Sequence, residues 1–461
     1  MKYTLTFIFL FIGICAYTQD PEMTPKEMKD YMNKAALRTN PDNICFVPGS
    51  YDRSTRDSNN EHFLVFDGPD GSLMAIWTQH QGTWAENQSH IVFSRSDDKG
   101  VAWSPPMHLV GPREKGDTKY PAVWAFPMVS KSGRIYVLWN QNQGIKGWNF
   151  LHTGTMSGMY SDDNGKTWTK PQDIPMPKSP YNDPEGKIPG EWIVWQKPES
   201  APDGKYTVGY THWVNKAVAY FNGIDRLAPI LPGTSMSWVW WESVVEFMKF
   251  ENLDENPEPK DLRISYLSSD EDALRVPHYI EPRLSVAQEP SIVTLPDKRL
   301  FCTMRTASGY IWYTISGDNG KTWCNPRPLL RKDHGSPILQ PVGCCPIYQL
   351  ADGRYVLLHH NNRGDISDPS KISGPRTPAY IALGEFRPGA DQPLWFSESK
   401  IFIDNKGLNS AGELATRGND AATYTSFTTS TGKNILWYPD AKCWLLGKEV
   451  TEEFLNDLKV P

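Results

Sequence analysis

An eight-residue pattern, S-x-D-x-G-x-x-W, occurs three times in the chain and constrains the fold more than any other feature. The copies occupy residues 96–103, 161–168 and 316–323. In each copy the Asp carboxylate can accept hydrogen bonds from turn amides, and the Gly supplies the positive φ of a tight hairpin. The Trp that ends each copy can pack between neighbouring sheets. The repeat therefore predicts hairpins in an all-β array, and a structural role for its Asp residues.

This repeat is similar to the Asp box of sialidases and related proteins, in which the box joins the last two strands of a four-stranded blade. The resemblance implies an all-β, six-bladed β-propeller; a seventh blade stays open, because the region 170–290 is long. Blades one and two are predicted to end near Trp103 and Trp168, and blade three to span residues 192–277. Blade four is predicted to end near Trp323 and blade five to span residues 346–403. Blade six is predicted to begin at residue 421 and to be closed by residues 43–46.

Two segments outside the blades are predicted to be short flanking helices. Residues 24–37 begin with a capping Thr and a Pro at the first helical position, and residues 452–458 are the second candidate. Both are expected to pack on the outer face of the propeller. The whole region from 19 to 461 is predicted to be one propeller domain.

The N-terminal segment 1–18 has the features of a signal peptide. Lys2 precedes a run over residues 5–14 that is apolar apart from Thr6, and the small residues Ala16 and Thr18 stand at positions −3 and −1 before Gln19. The run is too short to remain as a transmembrane helix. We therefore expect export to the periplasm or the medium.

Four residues match positions that carry chemistry in sialidases. Glu289 lies in a stretch, residues 288–300, that resembles the start of the sialidase blade with a buried Glu, and Arg305 ends the same strand pair. Arg376 begins a later strand, and Tyr424 stands shortly before the last hairpin. The resemblance implies that Tyr424 is the nucleophile, Glu289 its base, and the two arginines ligands of a substrate carboxylate. Each also has a structural alternative, as a turn residue, a core ion pair, a loop residue or a packed aromatic.

This set of residue types is chemically coherent. Sialic acid carries a carboxylate at its anomeric carbon, and a phenol avoids the charge repulsion that a carboxylate nucleophile would meet there. A phenol with an ordinary pKa near 10 needs a base, which a neighbouring Glu supplies. Arginine binds carboxylates in a bidentate manner.

The chain departs from sialidases in its first blade. The position of their first Arg falls on Glu61 and His62, which are expected to contact sugar hydroxyls. Their acid/base Asp has no counterpart in residues 84–90, where Glu86 or His90 is the substitute. For all four residues a polar loop rim is the structural alternative. Without the first Arg, sialic acid should be a poor substrate, while a uronic or sulfated sugar remains compatible.

Composition excludes other classes. With 47 basic against 53 acidic residues, the net charge of −6 offers no basic surface for nucleic acid. No phosphate loop or dinucleotide motif occurs, and His359-His360 lacks ligand-spaced partners, so neither a metal nor another cofactor is expected. The aromatic stretch 210–213 is a candidate wall of the pocket.

The sequence predicts an exo-acting glycoside hydrolase that releases a terminal sugar, acidic or otherwise unusual, from a glycan or polysaccharide. Two alternatives remain open on the same propeller. One is a polysaccharide lyase or other uronate-directed enzyme, in which Tyr and His transfer protons. The other is a glycan-binding propeller without catalytic activity. Fold alone does not separate them, because function lies in the site.

Export is testable by the mass of the mature chain. Cleavage by signal peptidase predicts an intact mass that starts at Gln19 in the secreted fraction. The rival is a lipoprotein anchored through Cys15, which Ile14 disfavours because a small residue is preferred there. A mature chain that begins with a lipidated Cys15 would contradict soluble export.

Overall fold

The computed structural model describes residues 23–52, 54–81, 88–114, 117, 119–145, 151–219, 242–279, 281–366 and 372–461. The predicted signal peptide lies outside these residues. No helix in the described part is both long enough and apolar enough to cross a membrane.

The described strands form six antiparallel sheets, which confirms the predicted six-bladed propeller. The first three blades follow one another along the chain. Blade one contains β2 (Asn59–Asp67), β3 (Leu73–Gln81), β4 (Gln88–Ser96) and β5 (Met107–Val110). Blade two contains β6 (Ala122–Val129), β7 (Ile135–Gln141), β8 (Thr155–Ser161) and β9 (Gln172–Ile174). Blade three contains β10 (Glu191–Ile193), β11 (Glu199–Ser200), β12 (Tyr206–Trp213), β13 (Ser243–Phe250) and β14 (Ile264–Leu267).

The last three blades include the closure of the ring. Blade four contains β15 (Ala287–Thr294), β16 (Leu300–Thr306), β17 (Trp312–Ser316) and β18 (Arg327–Pro328). Blade five contains β19 (Ile347–Gln349), β20 (Tyr355–His359), β21 (Ala379–Phe386), β22 (Leu394–Phe396) and β23 (Lys400–Ile403). Blade six contains β24 (Ser426–Thr428), β25 (Ile435–Asp440), β26 (Trp444–Glu449) and the N-terminal β1 (Asn43–Phe46). The closing strand is therefore the predicted one, and β1 pairs with β26 at the edge of blade six.

Hydrophobic clusters between blades hold the ring together. One cluster joins blades one, two and three, and four others join blades three to four, four to five, five to six, and six to one. In the seam between blades six and one, Phe63 packs edge-on against Trp437 with ring centroids 6.5 Å apart. Because each seam buries side chains from both of its blades, the ring closes through packing as well as through β1.

The two helices pack on the seam between blades five and six. Helix α1 (Pro25–Ala35) begins at Thr24, whose side chain forms a capping box with Glu27, and buries Met28 and Met32 against this seam. Helix α2 (Glu452–Leu455) buries Leu455 in the same cluster. Both predicted helices are present, although each ends a few residues earlier than expected.

The Asp boxes make the predicted turns. In the second box, Asp163 Oδ1 accepts the Thr167 amide at 2.8 Å, and the Trp168 indole donates to the Gly165 carbonyl at 3.1 Å. Gly165 has φ +79°, and a Cβ there would lie 2.4 Å from the Phe93 ring of blade one. The Trp168 ring packs edge-on against Phe93 at 5.3 Å. The box therefore closes a hairpin and joins two blades.

We expect the box to contribute to stability and not to chemistry. Asp163→Ala removes the acceptor of several turn bonds, so the free energy of unfolding should fall by about 1–3 kcal/mol. Trp168→Ala should also lower the melting temperature, because the ring packs on blade one. Thermal unfolding checks both, with the exposed Lys166→Ala as control. Loss of turnover in a fully stable Asp163→Ala variant would contradict this role.

Candidate active site

The first strands of four blades carry, at or beside them, a non-glycine residue in the left-handed region. These residues are His62 (φ +56°), Trp124 (φ +60°), Glu289 (φ +49°) and Tyr424 (φ +61°). The first three lie at bulges of β2, β6 and β15, and Tyr424 lies just before β24. A bulge turns a side chain away from the regular alternation of a strand, and left-handed backbone costs about 1–3 kcal/mol per residue. Such strained residues cluster at functional sites in proteins, so these four positions define the candidate site.

The amides of three of these residues are bonded to the preceding blade. The bonds run from Trp124 N to Thr78 Oγ1 (3.1 Å), from Glu289 N to Thr211 Oγ1 (2.7 Å) and from Tyr424 N to Cys344 Sγ (3.3 Å). The Tyr424 carbonyl in turn accepts the Phe63 amide of blade one at 3.2 Å. Contacts with neighbouring parts of the ring therefore fix the backbone at these three residues.

Glu289, Arg305 and Tyr424 form a buried cluster. The Tyr424 hydroxyl donates to Glu289 Oε1 at 3.1 Å, and Arg305 Nη1 donates to the same oxygen at 2.5 Å. Arg305 reaches this position because it pairs with Gln288 across the β15–β16 ladder. Burial, and then the Glu289 charge, raise the pKa of Tyr424 well above its ordinary value. The phenol is therefore protonated at rest, and Glu289 is the nearest acceptor for its proton.

A second ion pair lies beside Tyr424. Glu61 Oε2 accepts the Lys442 ammonium at 2.5 Å, and Glu61 Oε1 is 2.7 Å from His80 Nε2. Burial alone would raise the pKa of Glu61, but Lys442 and His80 outweigh it and hold the pKa below its ordinary value. The Lys442 nitrogen also lies 5.0 Å from the centre of the Tyr424 ring. Glu61 therefore positions a cation, and both of its oxygens are engaged.

Arg376 lies in the same region with a third acid. Its guanidinium donates to the carbonyls of Val342 (2.6 Å) and Ser373 (2.9 Å), and Nη1 lies 3.7 Å from Asp420. Its charge opposes the rise in the pKa of Tyr424. The three cations Arg305, Lys442 and Arg376 are thus each matched with a carboxylate.

Aromatic rings form a wall around the Tyr424 phenol. The Trp124 ring is 5.6 Å and the Trp195 ring 6.2 Å from the Tyr424 ring. His62 meets Trp124 edge-on at 5.2 Å, so it packs on this wall. A further face is made by His152, which stacks on Trp213 at 4.1 Å. Burial lowers the pKa of His62 and of His152 to about 3, so both rings are neutral near pH 7.

The structure does not bring His90 to this cluster. Its ring contacts Gln79 at 3.1 Å and stacks on His108 at 5.2 Å. The adjacent Ser89 points to the other face of the sheet, toward His80, because side chains alternate along a strand. Burial lowers the pKa of His90 to about 3. The other acid/base candidate, Glu86, lies outside the described residues.

Sequence reasoning missed Lys442, His80 and Trp124. Lys442 occupies the β25–β26 hairpin with φ +50°, a conformation that the sequence gives no reason to expect of a lysine. Trp124 lies in a hydrophobic run that is typical of any buried strand. The wall residue Trp213 belongs to the aromatic stretch 210–213 singled out in the sequence. Lys442 and Trp124 share left-handed backbone geometry, which composition does not carry.

One protein-family model matches most of the chain. A model of the BNR repeat-like domain matches residues 71–378, which is more than half of the chain. The chain belongs to the BNR repeat-like family. A search of curated proteins finds no match to this BNR repeat-like chain.

Several solved sialidases share the fold of this BNR repeat-like protein. The NanB sialidase from Streptococcus pneumoniae is similar with a TM-score of 0.58 and 12% identity, over 91% of this chain and 71% of that one. The Ruminococcus gnavus intramolecular trans-sialidase gives 0.53 and 14%, over 87% and 96%. The Hadza microbial sialidase Hz136 gives 0.57 and 13%, over 86% of this chain but 66% of that longer one. At these identities the likeness concerns the fold.

Lys442→Met tests the Glu61 ion pair. Removal of the ammonium leaves a buried carboxylate without its main partner, which should lower the free energy of unfolding at pH 7 by about 3–5 kcal/mol. The wild-type pKa of Glu61 is depressed, so its contribution is present above about pH 4.3 and is lost as the pH falls. In Lys442→Met, burial raises the pKa of Glu61, so this carboxylate takes up a proton as the pH falls. The loss in the free energy of unfolding relative to the wild type should therefore shrink between pH 7 and pH 5.

Denaturant unfolding of Lys442→Met at pH 5 and 7 measures this effect. The matched control is Glu61→Gln with Lys442→Met, which removes both charges and should recover much of the loss. Equal instability of the single and double variants at both pH values would contradict the ion-pair account.

Proposed function

We propose that this protein is an exported, exo-acting glycoside hydrolase that releases a terminal sugar, acidic or otherwise unusual, from a glycan. The observation that carries the proposal is the hydrogen bond from the Tyr424 hydroxyl to Glu289 in a buried cluster. A phenol with a raised pKa and a carboxylate at 3.1 Å are a nucleophile and its base. The sialidase-like propeller supports glycans as the substrate class.

The proposed reaction retains the anomeric configuration and proceeds in two steps. In the first step the Tyr424 oxygen forms a bond to the anomeric carbon while its proton passes to Glu289. The glycosidic carbon–oxygen bond breaks, and the leaving oxygen takes a proton from an acid. We assign this acid to Glu86, because His90 faces away from the cluster. In the second step water forms a bond to the anomeric carbon and gives a proton to the Glu86 carboxylate, while the bond from the Tyr424 oxygen to that carbon breaks and the phenol recovers its proton from Glu289.

Arg305, Arg376 and Lys442 support an acidic sugar, because a carboxylate or sulfate group would be attracted to three cations beside Tyr424. Each cation already has a carboxylate partner, however, and the position of the first sialidase Arg holds Glu61 and His62. A substrate anion therefore competes with internal carboxylates. This arrangement favours a uronic or sulfated sugar over sialic acid, whose carboxylate requires a stronger ligand set at the anomeric carbon.

One observation favours a second candidate, a polysaccharide lyase. The neutral rings of His62 and His152 lie on the wall around the phenol, and a lyase needs a proton acceptor and a proton donor next to a uronate. A lyase product contains a new carbon–carbon double bond and absorbs in the ultraviolet, whereas a hydrolysis product does not. Turnover on a panel of sialosides, uronides, rhamnosides and sulfated polysaccharides, followed by absorbance and by reducing sugar, separates the two. A glycan-binding protein without activity would bind members of the panel and release nothing.

Tyr424→Phe tests the proposed nucleophile on the best substrate of the panel. The substitution removes one hydroxyl and keeps the ring on its aromatic wall, so the melting temperature should change little. Turnover should fall by about two to four orders of magnitude, as for other groups that transfer protons or bond to substrate. The control is Tyr160→Phe, whose hydroxyl bonds Glu258 away from the cluster. Near-wild-type turnover by Tyr424→Phe would refute the mechanism. Efficient release of sialic acid would refute the proposed specificity.

A further inference from the structure

A second cavity lies between blades two and three. It encloses about 870 Å³ between the loop 175–190 and the side of blade three that faces blade two. Tyr210 and His212 line it from β12, whereas the intervening Thr211 points to the opposite side and bonds Glu289. Because side chains alternate along a strand, this cavity and the Tyr424 cluster use opposite faces of the same strand. The two sites are therefore distinct.

A fixed polar network forms the inner wall of this cavity. Glu246 Oε2 accepts the Tyr210 hydroxyl at 2.6 Å and lies 2.7 Å from His212 Nδ1, while Glu246 Oε1 accepts the Asp270 amide at 3.1 Å. Glu246, Tyr210 and His212 are each at most 5% exposed. The second nitrogen of His212 is 2.8 Å from Asn182 Oδ1 of the covering loop. The wall is thus built before any ligand arrives.

The covering loop is also held in place. The Tyr181 hydroxyl donates to the Asp270 carbonyl at 2.5 Å, and the Tyr181 carbonyl accepts the Asn215 amide at 2.7 Å. Within the loop, Asp183 accepts the amides of Lys187 and Ile188 at 2.8 and 2.9 Å. These bonds fix the loop to blade three and keep the cavity open between them. Ligand binding would therefore require little free energy for ordering the site.

The lining indicates which chemistry the cavity accepts. Among the described lining residues, the exposed carboxylates of Asp173, Glu185 and Asp270 outnumber the one cation, Lys178. Lys187, outside the lining, pairs with Glu185 at 2.5 Å, and the remaining negative charge disfavours anions. The most buried carboxylate, Glu246, is fully used by internal donors, which removes the natural ligand for a compact cation. Apolar surface comes from residues such as Trp192, Ile174, Met176 and Tyr266. Carboxylates and amides that accept hydroxyl protons, beside aromatic surface, suit a polyhydroxylated ring.

We propose that this cavity binds neutral sugar units of a glycan and is a second carbohydrate site of the protein. Its volume lies in the range of pockets that enclose a ligand of a few sugar rings. The inference does not depend on hydrolysis at Tyr424. A protein that binds neutral sugar units in this cavity and cleaves a terminal sugar at the Tyr424 cluster would contact one glycan at two places.

The test measures binding of neutral trisaccharides to the purified protein by saturation-transfer NMR and calorimetry. The probes are maltotriose, cellotriose and mannotriose, with sialyllactose as the anionic probe and spermine as the cationic probe. Ser269→Trp places a bulky ring at a lining position with extended backbone (φ −101°, ψ 168°) and should block the cavity. Glu271→Trp adds the same ring at an exposed neighbour outside the lining and is the control. Asp270→Asn removes a lining charge at a left-handed position that Asn tolerates.

The expected result is binding of at least one neutral trisaccharide to the wild type, to Glu271→Trp and to Tyr424→Phe. Binding should weaken at least tenfold in Ser269→Trp, and measurably in Asp270→Asn, which also covers the case that Ser269→Trp fails to fold. Absence of binding by all three neutral probes would overturn the proposal. Binding that both lining variants retain, or binding of sialyllactose or spermine alone, would overturn it as well.

Discussion

Four left-handed residues at the inner ends of the blades determine what this propeller can do. His62, Trp124, Glu289 and Tyr424 each adopt a backbone conformation that costs about 1–3 kcal/mol for a non-glycine residue. The cost is sustained because the surrounding blades fix the geometry, in three cases through a bond from the strained amide to the preceding blade. Within this geometry the Tyr424 side chain contacts both Glu289 and Trp124.

The cations around Tyr424 are each paired with a carboxylate. Arg305, Lys442 and Arg376 each lie near one carboxylate, so the cluster holds three cations without an uncompensated charge among its described members. Burial makes such pairs costly to break, because removal of one partner leaves a buried charge that lowers the stability of the folded protein by several kcal/mol. The proposed acidic substrate would therefore compete with an internal carboxylate for each cation.

Sequence reasoning predicted the blades well and the centre in part. The Asp boxes mark hairpins by local chemistry, a carboxylate that accepts turn amides and a glycine with positive φ, so blade ends near Trp103, Trp168 and Trp323 were readable. Glu289, Arg305 and Tyr424 were found by resemblance, and the structure brings these three into contact. Lys442 was not found, because its contact with Glu61 depends on ring closure between residues 381 positions apart. His80 was not found either, although it lies only 19 residues from Glu61 in the same blade, because its contact depends on the register of β2 and β3. His90 was predicted as a substitute acid or base, but its ring contacts Gln79 and His108, and it is the adjacent Ser89 that points to His80, because side chains alternate along a strand.

The central claim is that Tyr424 and Glu289 act as one unit, a nucleophile and its base. A double-mutant cycle in kcat/KM with Tyr424→Phe, Glu289→Gln and the combined variant measures this coupling directly. The account predicts that either substitution alone abolishes most of the rate, and that the combined variant is little worse than the poorer single variant. Losses that multiply in the combined variant would show that the two residues act independently. That result would contradict the account.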